Sequence, residues 1–211
     1  PFRYSESLFL DLIQKASGKN IQPIPHFNIP KDHETIPGVA ADSLYQWMLQ
    51  PSDNLFAEQL LLQISAVQGD TLSSVDAINQ ILNDQLFPET VFDSLVWRDG
   101  SGLSRYNMFK PKSITALLTQ MRTLLGEERL FHLLPQGGVS GTLKDWYHGE
   151  SGPYVFAKTG TLSNNHALVG YLKTKKDKTL VFSFMVNHHA AKTSTIRKSI
   201  GRVLEKIKEA Y

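Results

Sequence analysis

The chain has 211 residues, with 22 basic and 20 acidic side chains and a net charge of +2. That charge is too small to indicate nucleic-acid binding, and no apolar run has the roughly 20 residues that a transmembrane helix needs. The absence of cysteine excludes disulfides, thiolate metal sites and a cysteine nucleophile. The seven histidines lack any known ligand spacing, so we expect neither a metal nor another cofactor.

The first two thirds of the sequence predict helices, interrupted by one proline-rich segment. Residues 4–16 have an amphipathic pattern that Ser5 or Ser7 could cap and that Gly18 would end. Residues 22–37 carry four prolines, which remove backbone donors and favour a loop or an edge strand. Apolar periodicity and helix-capping residues predict further helices at residues 42–49, 55–64, 75–86 and 112–125.

The last third predicts a small sheet followed by a helix. Three strands are expected, separated by turns at residues 160–165 and at the lysine-rich stretch ending at Lys178. Connections this short require antiparallel hairpins. Residues 194–210 form an amphipathic helix that can cover one face of this meander. The predicted strands are residues 154–158, 167–173 and 179–186.

Helices followed by an antiparallel meander indicate an α+β fold. Both edges of a three-stranded sheet would stay unpaired, which predicts additional strands from sequence preceding Pro1. We therefore expect the chain to be the C-terminal portion of one domain. Residues 1–150 would form its mainly helical part, and residues 151–211 would form the strands and the final helix.

Two short motifs could carry chemistry. Ser52-Asp53-Asn54 heads a predicted helix, where such residues are most often only a cap. Lys158-Thr159-Gly160-Thr161 continues a predicted strand, where it could be an ordinary strand end. In that second motif Gly160 would let a ligand approach the strand edge. The charge of Lys158 and the hydroxyl of Thr159 would suit a carboxylate.

Two longer segments between these motifs make the pattern specific. Residues 99–107 read Asp-Gly-Ser-Gly-Leu-Ser-Arg-Tyr-Asn, and residues 134–143 begin with Leu-Pro and end with Gly-Thr-Leu. In this order, from about Tyr45 to the C-terminus, the sequence closely resembles the D-alanyl-D-alanine carboxypeptidase/endopeptidase family of low-molecular-mass penicillin-binding proteins. This is the class C group, or peptidase family S13. The resemblance implies part of the transpeptidase fold that these proteins share with serine β-lactamases.

The resemblance also implies roles for the motif residues. Ser52 would relay a proton near the nucleophile and the departing amine, and Asn54 would hydrogen-bond the backbone of the substrate peptide. Lys158 would sustain the proton network and, with Thr159, bind the C-terminal carboxylate of the stem peptide. Thr161 would offer its backbone N–H to the oxyanion hole. Gly160 would complete the substrate-binding strand.

A third motif that such enzymes need, Ser-x-x-Lys, occurs nowhere in the 211 residues. The nearest match, residues 195–198, begins with Thr and follows the other motifs instead of preceding them. Residues 99–107 lack the spacing of a nucleophile elbow, so neither Ser101 nor Ser104 is expected to attack, and the segment looks structural in the family. We therefore expect the nucleophile to lie upstream of Pro1 and this chain to be inactive alone.

The function implied by the resemblance is that of a serine D-Ala-D-Ala carboxypeptidase, also active as an endopeptidase on cross-links. Its expected partners are peptidoglycan stem peptides, β-lactams that acylate it, and the N-terminal portion of the same protein. Such chemistry is extracytoplasmic, which implies the periplasm. Two alternatives stay open: a non-catalytic peptidoglycan-binding scaffold, and a serine β-lactamase or esterase of the same superfamily.

Overall fold

The computed structural model describes residues 5–24, 28, 30–34, 37–68, 72–83 and 95–211. The chain divides into two compact units, Pro1–Gly38 and Val39–Tyr211. Within the described residues no helix is long and apolar enough to cross a membrane. The helices are α1 (Glu6–Ser17), α2 (Ala41–Leu49), α3 (Asn54–Gln68), α4 (Ser74–Asn83), α5 (Pro111–Leu125), α6 (Glu127–Leu133) and α7 (Thr193–Ala210). The strands are β1 (Val155–Leu162), β2 (Asn165–Lys173) and β3 (Thr179–Val186).

The first unit contains α1, whose two ends confirm the capping prediction. The Ser5 hydroxyl accepts a hydrogen bond from the Leu8 amide, and Gly18 ends the helix with φ 65°, in the left-handed region that suits glycine. Residue 4 of the first predicted helix lies outside the described residues, as do residues 25–27, 29, 35 and 36 of the proline-rich segment. So do residues 84–86 of the predicted fourth helix.

In the second unit the three strands form an antiparallel sheet in the order β1-β2-β3, which confirms the predicted meander. The prediction of a turn at residues 160–165 was wrong in its length. The turn is only Ser163-Asn164, with Asn164 at φ 57°, and β1 continues to Leu162, which pairs with Asn165. Asparagine tolerates the left-handed conformation that a two-residue hairpin requires, so a short turn suffices. The helix α6 was not among the helices predicted from the sequence.

The alternation of side chains along the strands creates an apolar core on each face of the sheet. Val155, Ala157 and Leu168 pack beneath Ile200 and Leu204 of α7, which confirms that the C-terminal helix covers the sheet. On the opposite face Phe156 and Tyr171 pack against α5 and α6, and Phe156 stacks on Phe131 with ring centroids 4.0 Å apart. The sheet is therefore the middle layer of a helix–sheet–helix arrangement.

The outer edge of β1 is covered along only part of its length. The Gly137 amide donates to Val155 O at 2.8 Å, and the Ala157 amide donates to Pro135 O at 3.0 Å. Beyond Ala157 no described residue forms a ladder with this edge. At the other side of the sheet, β3 pairs with β2 alone among the described strands. The second half of β1 is thus an open strand edge.

Candidate active site

Ser52 lies at a sharp junction between α2 and α3. Its φ is 64°, a left-handed conformation that is uncommon for serine and often marks functional sites. The Asp53 amide donates to Met48 O at 2.9 Å, while the Asp53 carboxylate accepts from the Phe56 amide at 2.8 Å and so caps α3. These two hydrogen bonds fix the backbone just after Ser52.

The structure brings Ser52 into contact with Lys158 of β1, although 106 residues separate them in sequence. The Lys158 ammonium donates to Ser52 Oγ at 2.6 Å and to Thr159 O at 2.9 Å. Burial lowers the pKa of Lys158 to about 8, since the interior stabilises the charged amine less well than water does. A lysine with a pKa this near neutrality can both hold and release a proton.

The backbone of Thr159 and Thr161 faces the open edge of β1. Because Val155 O and Ala157 N both point away from β2, the two-residue period of a strand directs the N–H and C=O groups of Thr159 and Thr161 the same way. Gly160 between them is exposed, and a Cβ there would find its nearest neighbour, Ala167 Cβ, 3.8 Å away. The glycine therefore satisfies no packing need within the described residues.

The side chains of Thr159 and Thr161 share the sheet face that α7 covers, and each meets a partner that the sequence reasoning missed. Thr159 Oγ1 donates to Thr142 Oγ1 at 3.0 Å. Thr161 Oγ1 lies 2.9 Å from His166 Nδ1, across the β1–β2 register. Both partners had a signal in the sequence, Thr142 within the Gly-Thr-Leu segment and His166 five residues after Thr161.

Gln50, at the end of α2, ties the Ser52 junction to the segment that carries Thr142. Its side-chain amide donates to Leu133 O at 3.2 Å and to Leu134 O at 2.8 Å. The backbone carbonyl oxygen of Gln50 accepts from the Thr142 amide at 3.1 Å. Gln50 therefore links the α2–α3 junction, which carries Ser52, to the segment of Thr142, whose hydroxyl contacts Thr159 of β1.

Residues 99–107 form a self-hydrogen-bonded loop, in keeping with the structural role that the family resemblance implies for them. The Asp99 carboxylate accepts from the amides of Gly102 and Ser104 at 2.7 and 2.6 Å, and from Asn107 Nδ2 at 2.8 Å. Glu58 of α3 accepts from the amides of residues 100 and 101. A Cβ at position 100 would lie 2.5 Å from a backbone oxygen of α3, so only glycine fits there. The loop braces α3, the helix that follows Ser52.

Asn54 is the predicted site residue that the structure leaves apart from the others. It is exposed as the first residue of α3, and its side chain has no hydrogen bond to a described residue. No group of three or more His, Asp or Glu side chains in the described part of the chain could hold a metal ion. The contacts that remain are a lysine–serine pair, two threonine hydroxyls and an open strand edge.

Comparison with known proteins assigns this arrangement to a family. The model of the D-Ala-D-Ala carboxypeptidase 3 (S13) family matches residues 41–207, which is most of the chain. The chain belongs to the S13 family. This confirms the resemblance derived from residues 99–107 and from the two short motifs. The match spans α2 to α7 and includes Ser52, Asn54 and Lys158.

Two curated relatives align over most of this chain. Penicillin-sensitive carboxypeptidase A of Dictyostelium discoideum is 27% identical over 173 residues, covering 76% of this chain and 33% of that protein. D-alanyl-D-alanine carboxypeptidase DacB of Haemophilus influenzae is 28% identical over 158 residues, covering 70% and 32%. The chain therefore spans about a third of the length of the curated relatives it matches.

Solved structures agree on the fold. Penicillin-binding protein 4 of Haemophilus influenzae, in complex with a β-lactam, matches with a TM-score of 0.70 and 22% identity. The match covers 79% of this chain and 41% of that one. A class A β-lactamase of Bacteroides cellulosilyticus matches with a TM-score of 0.56 and 14% identity. These likenesses confirm the predicted α+β fold, which S13 proteins share with β-lactamases.

Proposed function

We propose that the protein carrying this chain is a serine-type D-Ala-D-Ala carboxypeptidase and endopeptidase that acts on peptidoglycan stem peptides. The observation that carries the proposal is the 2.6 Å hydrogen bond from the Lys158 ammonium to Ser52 Oγ, beside the open edge of β1. A lysine of lowered pKa and a serine hydroxyl can move a proton during peptide acyl transfer, and an unpaired strand edge can bind an extended peptide. Membership of the S13 family supports the same reaction.

In the first half-reaction a serine hydroxyl oxygen attacks the carbonyl carbon of the penultimate D-Ala and forms an ester, while its proton passes to the lysine of the same Ser-x-x-Lys motif. The bond to the nitrogen of the terminal D-Ala breaks, and that nitrogen must receive a proton to leave as an amine. Since Lys158 donates to Ser52 Oγ, the hydrogen of the Ser52 hydroxyl is free to point at the leaving nitrogen. Water then hydrolyses the ester. β-Lactams would acylate the same serine.

The open edge of β1 would bind the substrate as an added strand. An extended peptide can pair with the outward N–H and C=O groups of Thr159 and Thr161. Its C-terminal carboxylate would be bound by Lys158 and Thr159, and the Thr161 N–H would stabilise the oxyanion. Gly160 leaves room for the peptide, and the exposed side chain of Asn54 can hydrogen-bond the peptide backbone.

The attacking serine must come from a Ser-x-x-Lys motif, which the 211 residues do not contain. In this proposal residues 1–211 are the C-terminal portion of one penicillin-binding domain, and the N-terminal portion of the same polypeptide supplies the nucleophile. Residues 1–150 contribute Ser52 and Asn54 to the site, and residues 151–211 contribute Lys158 and strand β1. Peptidoglycan lies outside the cytoplasmic membrane, so the proposed location is the periplasm.

Labelling with fluorescent penicillin tests the proposal on two proteins, the full-length product of the gene and this 211-residue chain. Label on the full-length product alone is the expected result. Label on neither would favour a non-catalytic scaffold, and label on the 211-residue chain would mean that the nucleophile lies within it. Rapid loss of label would indicate a β-lactamase instead of a carboxypeptidase.

A lysine variant tests the observation behind the proposal. In the full-length protein Lys158→Ala should lower the acylation rate about tenfold or more, since a hydrogen bond from a charged group is worth roughly 1.5–3 kcal/mol. Lys198→Ala removes an exposed lysine from α7 and serves as the matched control. Unchanged acylation in Lys158→Ala would remove Lys158 from the mechanism.

A further inference from the structure

His166 is a buried histidine in direct contact with the proposed substrate-binding strand. It stands opposite Thr161 in the β1–β2 register, and its Nδ1 lies 2.9 Å from Thr161 Oγ1. Only 1% of the residue is exposed. The imidazole therefore reaches ligand only through Thr161, and any role it has in binding is indirect.

We propose that His166 is a positioning residue, which holds the Thr161 hydroxyl with its hydrogen turned toward a carboxylate bound at the open edge of β1. The inference rests on the proposed function, because it adds the Thr161 hydroxyl to Lys158 and Thr159 as a group that binds that carboxylate. A carboxylate has only acceptor atoms, so a hydroxyl helps to bind it only by donating. The orientation of one hydrogen thus decides whether Thr161 contributes.

The protonation state of His166 sets that orientation. Burial, reinforced by the charges of Arg197 and His189, lowers the pKa of His166 to about 4, so the ring is neutral at pH 7 and carries one N–H. If Nδ1 carries the hydrogen, it donates to Thr161 Oγ1 and leaves the hydroxyl hydrogen free for a ligand. If Nε2 carries it, Nδ1 accepts the Thr161 hydrogen and withdraws it from the ligand.

The surroundings of the second ring nitrogen favour the first arrangement. His166 Nε2 is buried without a hydrogen-bond partner among the described residues, as are Arg197 Nε and His189 Nε2. Arg197, whose charge contributes to the lowered pKa of His166, lies with its guanidinium carbon 5.1 Å from the centroid of the Trp146 ring. A hydrogen on Nε2 would be a buried N–H without an acceptor, whereas a hydrogen on Nδ1 has Thr161 Oγ1 as its acceptor. This difference places the lone pair on Nε2 and the hydrogen on Nδ1, facing Thr161.

The first test reads the tautomer directly in this chain, without any requirement for activity. Two-dimensional ¹⁵N–¹H spectra of the imidazole rings distinguish a protonated from an unprotonated ring nitrogen, and His166→Asn assigns the His166 signals by their loss. We expect hydrogen on Nδ1 from about pH 6 to pH 8. Hydrogen on Nε2 would overturn the inference, whatever the activity of the full-length protein.

The second test measures acylation of the full-length protein by penicillin and by its methyl ester, which lacks the carboxylate. His166→Leu should slow acylation by penicillin about tenfold, the loss expected for one hydrogen bond to a charged group, and change acylation by the ester less than about twofold. His166→Asn places an amide N–H near the position of Nδ1 and should restore most of the rate. Thr161→Val should reproduce the loss, and adding His166→Leu to it should cause no further loss.

The outcomes separate the two proposals. Equal losses with penicillin and its ester would show a merely structural role for His166 and overturn the inference. A labelled wild-type protein with an unaffected His166→Leu variant would refute the inference alone. An unlabelled wild-type protein would refute the proposed function and this inference with it. Thermal denaturation of each variant identifies any loss that comes from unfolding.

Discussion

The buried ammonium of Lys158 should make the stability of the chain depend on pH in a way that one substitution removes. The pKa of Lys158 is lowered from 10.5 to about 8 by burial. Between these values the unfolded chain binds more protons than the folded chain, so the free energy of unfolding rises with pH. Below pH 8 the amine is charged in both states, and the folded state bears the full cost of burying it.

The size of the effect follows from the pKa difference. Each unit corresponds to about 1.4 kcal/mol, so the buried charge costs about 3 kcal/mol at pH 7. Raising the pH from 7 to about 9.5 should recover about 2 kcal/mol of that cost. Lys158→Met keeps the length of the side chain and removes the charge. The stability of the wild-type chain relative to this variant should therefore increase by the same amount over this range.

Urea denaturation followed by circular dichroism measures this difference at several pH values between 7 and 9.5. Groups that are common to both proteins, including the buried tyrosines, cancel in the comparison. Lys198→Met is the control, because it removes a lysine that is exposed on α7. A wild-type-minus-Lys158→Met difference that stays flat with pH, like that of the control, would show that Lys158 is not desolvated and would refute the reasoning.

Three further predictions concern the framework of the site. Gly170→Ala should destabilise the chain by roughly 2 kcal/mol or more, since its Cβ would lie 2.2 Å from a backbone oxygen of β1, whereas Gly160→Ala should leave the melting temperature nearly unchanged. Equal melting temperatures would contradict this. Tyr171→Phe should cost about 1–2 kcal/mol in urea denaturation, because its hydroxyl donates at 2.7 Å to a carbonyl of α5 in the core; an unchanged midpoint would argue against that bond. Asp99→Ala removes the acceptor of three hydrogen bonds, so it should lower the free energy of unfolding by roughly 2–4 kcal/mol and make the 99–107 loop susceptible to limited proteolysis. Unchanged resistance to proteolysis would show that Glu58 alone holds the loop.

Much of the fold was predictable because local signals agreed with one another. The cap at Ser5, the stop at Gly18 and the stripe that includes Ile196 each defined a helix by position and period. Short turns between β-rich segments left only antiparallel pairing. The short helix α6 has no such pattern of its own. Its residues Leu130 and Phe131 can be identified as core residues only when the sheet face against which they pack is known.

The residues of the candidate site could be named as motifs in the sequence, but the contacts between them could not. Nothing in the sequence states that Lys158 lies 2.6 Å from Ser52, because that distance depends on how α2, Gln50 and β1 pack. The contact of His166 with Thr161 could have been predicted from the sequence, but the predicted turn at residues 160–165 included Thr161 and so left it out of the strand pairing. A two-residue turn at Ser163-Asn164 sets the hairpin register and places the two residues opposite each other.

The separation of 106 residues between Ser52 and Lys158 also bears on how the chain folds. Closing so long a loop costs conformational entropy that local helices and hairpins do not repay. The β1–β2 hairpin and α3 can each form early from neighbouring residues, whereas the Ser52–Lys158 contact must wait until both are docked. The bond between these two side chains is therefore a reporter of completed tertiary structure. A partly folded intermediate would contain every secondary element and still lack the site.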